Sequence, residues 1–104
     1  MTEIRNSKRY DLESRTAVFA KNCRELVAKL KPTISNVEDG KQLVKASGSV
    51  GANYIEANEA LSKKDFRMRI KICRKESKEA RYWLQLLNFD YSPLLAAGRK
   101  SNLD

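Results

Sequence analysis

Cys23 and Cys73, the glutamate pairs Glu56/Glu59 and Glu76/Glu79, and a dense run of lysine and arginine between Lys63 and Tyr82 are the side chains of this sequence with chemistry to offer. The sequence has no histidine, which removes a Ser-His or Cys-His dyad, an imidazole base and a His-ligated metal. Two cysteines fifty residues apart make neither a disulfide framework nor a zinc knuckle; both fall at apolar positions and read as small core residues. The glutamate pairs have the i,i+3 spacing of a di-metal helical bundle, but that chemistry draws on Glu-x-x-His motifs. A structural use is expected instead, with Glu56, Glu76 or Glu79 satisfying Arg15 or an amide such as Asn53 in a partly buried polar network. Gly48-Ser49-Val50-Gly51-Ala52 has neither the preceding strand nor the Gly-Lys-Ser/Thr ending of a phosphate loop. No catalytic residue, metal site, cofactor or small-molecule substrate is therefore expected, and the chain reads as a non-enzyme.

The cations are more informative. Nine basic residues lie between Lys63 and Tyr82 against three acidic ones, so these 20 residues carry six of the eight net positive charges of the chain. Arg67, Lys71, Arg74, Lys78 and Arg81 recur at steps of four, three, four and three, which on a helix makes one stripe about 21 Å long. Lys64 extends it and Lys75 widens it. Arg67–Lys71, Lys71–Lys75 and Arg74–Lys78 are like-charge i,i+4 pairs, each unfavourable by roughly 0.2–0.5 kcal/mol; Lys75–Glu79 is the main attractive pair. Helix stability alone would not select this face. An ordinary solvated helix face is the plain alternative, although such faces more often mix signs. Lys64, Arg67, Lys71, Arg74, Lys75, Lys78 and Arg81 are the expected contacts to RNA or DNA, made to phosphates and so largely independent of sequence. A membrane surface fits less well, because the other side of this helix is needed for a core. Phe66, Tyr82 and Trp83 stand near the cations, and helical spacing assigns them to the core rather than to base stacking.

The elements that position these residues are helical. Leu12, Thr16, Phe19, Ala20, Cys23, Leu26, Val27 and Leu30 form one apolar stripe, capped by Asp11 or Ser7 and stopped at Lys31 by Pro32. A polar segment from Thr33 to Asp39 leads into a second stripe of Leu43, Ala46, Ser47, Val50, Tyr54, Ala57 and Leu61. The glycines within it cost about 1 kcal/mol each in a helix and imply a close-packed neighbour along a face of small residues. Ser62 and Asp65 read as a capping box, opening a third helix whose stripe is Phe66, Ile70, Cys73, Ser77, Ala80, Leu84 and Leu87, widened by Ile72, Trp83 and Leu86. Asn88 to Tyr91 reads as a loop, and Ser92-Pro93 opens a short fourth element. The expected fold is all-α, an antiparallel up-and-down four-helix bundle with a short or truncated fourth helix, in a single domain over residues 1–104. A short last helix leaves an apolar groove, which implies self-association. No apolar run approaches the roughly 20 residues of a membrane span, and Met1-Thr2-Glu3-Ile4-Arg5 lacks the apolar stretch of a signal peptide; a cytoplasmic location is expected, with no membrane partner.

Tyr10-Asp11-Leu12-Glu13-Ser14-Arg15-Thr16, Ala46-Ser47, Ser49-Val50-Gly51-Ala52-Asn53-Tyr54-Ile55-Glu56-Ala57, Lys64-Asp65-Phe66, Lys75-Glu76-Ser77-Lys78-Glu79 and Tyr82-Trp83-Leu84 occur in order from residue 10 to about 87. Together they resemble the four-helix-bundle proteins encoded within 23S rRNA intervening sequences, most specifically in the Ala-Asn-Tyr-x-Glu-Ala block. The resemblance implies a left-handed antiparallel four-helix bundle, assembled as a basic homopentamer. It also implies kinship with accessory proteins of diversity-generating retroelements, which bind nucleic acid. It supplies no catalytic residues. Members usually continue into a full fourth helix, whereas here Gly98-Arg99-Lys100-Ser101-Asn102-Leu103-Asp104 follows. The expected function is electrostatic binding of nucleic acid by an oligomeric, basic, non-enzymatic bundle; the alternative is an interaction module that docks its basic face on an acidic protein partner.

Overall fold

Two of the helices begin where a side chain satisfies one of the first free backbone amides. The computed structural model describes residues 11–89, which form α1 (Asp11–Lys29), α2 (Ile34–Asn58) and α3 (Lys63–Leu86), with no strand among the described residues. Asp11 and Glu13 occupy the first turn of α1 and Lys29 its last, each sign complementing the helix dipole at its own end. Thr33 caps α2 from an extended backbone, its hydroxyl accepting the Asn36 N–H at 3.1 Å. Ser62 does the same for α3, accepting the Asp65 N–H at 3.1 Å, which is the Ser62 half of the expected capping box.

The cap at Thr33 changes one expectation. The polar stretch Thr33 to Asp39 is not a lead-in; from Ile34 onward it is the first turns of α2. Its polarity misled because Asn36 is used for tertiary bonding and is only 3% exposed.

Connections of four residues, Leu30–Thr33 and Glu59–Ser62, make successive helices antiparallel. Contacts at both ends agree: Asn58 Nδ2 reaches Glu13 Oε2 at 3.3 Å, and Asn36 holds Asn88. α2 is the central element, packed on α1 and on α3, whereas no Cα of α1 comes within 8 Å of a Cα of α3. Cys23, Leu30, Leu43, Ala46, Ala80 and Leu87 form the core, bordered by Phe19, Val27, Trp83, Leu84 and Phe89.

The face of small residues does what its composition implies. A Cβ on Gly51 would stand 2.9 Å from Thr16 Oγ1 and 3.2 Å from Thr16 Cβ, so α1 lies against α2 at a separation that only hydrogen permits. The Thr16 hydroxyl cannot simply swing away, since it donates to the Glu13 carbonyl at 3.0 Å. Gly51→Leu should lower unfolding free energy by roughly 1–3 kcal/mol through overpacking, despite the better helix propensity of leucine. A urea melt that leaves the midpoint unchanged would show that the two helices are not held together at this point.

Where α1 and α3 diverge, α2 floors an open, mainly apolar groove of about 440 Å³ lined by Leu12, Val50, Tyr54 and Cys73, with Arg74 and Lys78 also bordering it from α3. Some residues assigned to the core are not in it. Leu12, Phe66 and Leu86 are exposed by two-fifths or more, because no third neighbour among the described residues covers those flanks. Leu61, expected to end the second stripe, is 98% exposed because α2 stops at Asn58 and Leu61 falls in the turn. The expected fourth element, from Ser92, lies outside the described residues, as does the Ser7 cap.

Candidate nucleic-acid interface

The 3.6-residue period of α3 separates two populations. Ala80 and Leu87 are buried against α2 and Cys73, Glu76 and Trp83 are partly so; these positions define the inner face. Lys64, Arg67, Lys71, Arg74, Lys75, Lys78 and Arg81 are all exposed and cluster on the opposite side, along about 26 Å of helix. The sequence-derived stripe is thus a continuous outward face.

Its charge is not internally neutralised. The ion pairs among the described residues are Arg15–Asp11 and Lys41–Glu38, each at 3.6 Å and on the surface. No described carboxylate lies within 4 Å of any of the seven cations; even Lys75 and Glu79 do not close their expected pair. Lys71, Arg74, Lys75 and Lys78 instead surround a shallow hollow of about 410 Å³, with Glu79 at its edge. Like charges at i,i+4 stand roughly 5–6 Å apart at Cβ, so an anion entering the hollow would relieve repulsion as well as gain attraction.

One cation of α3 is used structurally. Arg69, partly buried, donates from Nη1 to Asn53 Oδ1 at 3.0 Å, while Asn53 Nδ2 donates to the Ser49 carbonyl at 2.9 Å. This corrects the expected network: Asn53 is satisfied by an arginine rather than a glutamate, and Arg15 pairs with Asp11 in its own helix. Spacing placed the glutamates on the right helices but could not choose between partners across the interface.

The remaining chemistry stays quiet. Burial pushes the thiols of Cys23 and Cys73 above their ordinary range, which keeps both protonated and poorly nucleophilic at neutral pH. Cys73 Sγ donates to the Val50 carbonyl at 3.4 Å. Among the described residues no group of three His, Cys, Asp or Glu side chains could hold a metal, and no helix is long and apolar enough to cross a membrane.

Against this geometry, the family model for the 23S rRNA-intervening sequence protein matches residues 8–90. The chain belongs to that family. No curated protein and no solved structure matched it. The matched segment contains the three described helices and the whole basic face of this 23S rRNA-intervening sequence protein, and the family description names no reaction.

Three residues of this family member fall outside the sequence-derived picture. Asn36 joins three segments: Nδ2 donates to the Lys31 carbonyl at 3.0 Å and the Asn88 carbonyl at 3.1 Å, and Oδ1 accepts the Asn88 N–H at 2.9 Å. A lone polar residue in a polar stretch gave no signal of this. Phe66 and Tyr82 are the second correction in kind: they are 43% and 53% exposed, whereas Trp83 does pack against the core. For Tyr82 the signal was present, since it follows Lys78 by four residues and Lys75 by seven, the spacing that defined the stripe.

Proposed function

We propose that this 23S rRNA-intervening sequence protein is a non-enzymatic, oligomeric, basic helical bundle that binds RNA or DNA electrostatically through the outward face of α3. The observation that carries this reading is the set of seven exposed cations with no carboxylate within 4 Å among the described residues. Phosphates are the complementary partner, because a row of solvated cations needs no base-specific geometry to bind them. Two free thiols suit a reducing compartment, and a cytoplasmic location is part of the same reading.

In the same reading, neighbouring subunits of a homopentamer cover the groove between α1 and α3 and the half-exposed apolar side chains around it. A ring would repeat the basic face and raise a weak contact to a useful avidity. Light scattering coupled to size-exclusion chromatography reads the subunit number directly.

The functional test reverses Arg67, Lys71, Arg74 and Lys78 to glutamate together. None of the four is buried, so circular dichroism should report unchanged helicity while retention of labelled RNA in a filter assay is lost. A folded variant that retains RNA as the parent does ends the proposal.

A further inference from the structure

Among the described aromatic side chains Tyr82 is the most exposed, and the core does not account for its placement. Lys71, Lys75, Lys78 and Tyr82 stand at i, i+4, i+7 and i+11 and therefore share one seam of α3, about 16 Å long. The ring is 53% exposed, and its hydroxyl makes no hydrogen bond among the described residues. It is nevertheless held: the adjacent Trp83 ring meets it edge-on, centroids 5.1 Å apart and planes at 67°, and Trp83 itself packs on the core. A braced ring with solvent on its free side thus ends a row of unpaired cations.

We propose that this seam is a site for an unpaired strand of RNA or DNA, with Lys71, Lys75 and Lys78 following the backbone and Tyr82 stacking one base. The inference rests on the nucleic-acid reading of α3 and adds a preference that cations alone cannot give. Positive tracks combined with aromatic platforms are what single-strand binders use, each stacked base contributing independently of its identity. In a duplex the bases already stack on one another and offer Tyr82 no free face, so phosphate contacts serve both substrates while the ring serves one. Ribose and deoxyribose strands share the recognised chemistry, and oligo(U) and oligo(dT) are the two probes.

The test compares full-chain wild type, Tyr82→Leu and Tyr82→Phe on these oligomers and on a duplex of equal length, at one salt concentration. Trp83 is the only tryptophan, so its fluorescence reports occupancy of the adjacent ring. The wild type should bind the single strands more tightly than the duplex and lose Trp83 emission on doing so. Tyr82→Leu should weaken single-strand binding roughly tenfold or more with duplex binding unchanged, and Tyr82→Phe should retain it. Equal loss on both substrates, or no loss on either, overturns the stacking site while leaving the electrostatic reading intact. A changed subunit number in Tyr82→Leu also overturns it, by making Tyr82 a contact between copies. A wild type that binds neither single strands nor duplex removes the underlying reading as well.

Discussion

Replacing Asn36 with alanine should lower unfolding free energy by about 2–4 kcal/mol, because three hydrogen bonds vanish at a site where each is worth roughly 0.5–1.5 kcal/mol net. Asn36 is 3% exposed, so truncating it leaves a buried gap where the three segments meet, even though Lys31 and Asn88 are themselves surface residues. Against a total of about 5–15 kcal/mol for a domain, this is a large share. Urea denaturation should show a lower midpoint at unchanged slope. Asn36→Asp separates hydrogen bonding from packing. A carboxylate keeps the Asn88 N–H bond but faces two carbonyl oxygens at the places where Nδ2 donates. Burial among those oxygens would raise its folded-state pKa above the unfolded value of about 3.9. The destabilisation is then smallest below that unfolded value and grows as pH rises through the folded pKa. Asn36→Asp should therefore be weaker than Asn36→Ala at neutral pH and recover on acidification. A variant within about 0.5 kcal/mol of wild type would mean that the end of α3 is fixed by other contacts.

The consequence reaches the basic face. Asn36 ties the residue just beyond α3 to the start of α2 and the end of α1, and Arg81 and Tyr82 lie in the last turns of that helix. The prediction thus concerns the rigidity of the surface as well as the stability of the bundle.

How much of this was legible beforehand follows from the range of the forces involved. Helix identities, the break at Pro32, the Ser62 cap and the outward stripe are local: they depend on residues within four positions of one another, and periodicity records them. The close approach at Gly51 was also legible, as a cost in helix propensity that something had to offset. Partner choice was not. Asn53 lies opposite Arg69 rather than a glutamate, and Asn36 reaches a residue 52 positions away; both depend on how two helices are rotated about their axes. Phe66 and Leu86 carry apolar character at helical spacing, yet exposure depends on a neighbour that the three described helices do not supply. Periodicity says which face is apolar and cannot say whether anything covers it.

Between 50 and 200 mM salt, the affinity of the wild-type protein for duplex DNA should fall by roughly 500-fold per engaged subunit, if Arg67, Lys71, Arg74, Lys78 and Arg81 each neutralise one phosphate. The logarithmic slope is about −0.9 per phosphate contact, hence about −4.5 for five. The value depends on counterions released from DNA and not on attraction between isolated charges, which is why it can be read from a count of solvated cations. It also separates the two partner classes. An acidic protein surface lacks the condensed ion atmosphere of a duplex, so the same stripe docking there would give a much shallower dependence. Single changes refine the count: Arg74→Ala should reduce the slope by about one contact, whereas Arg69→Ala should lower stability and leave the slope alone, since Arg69 is already bonded to Asn53. A slope near zero for wild type would mean that these side chains meet something other than phosphate. Equal slopes for wild type and Arg74→Ala would move the contact off this face of α3.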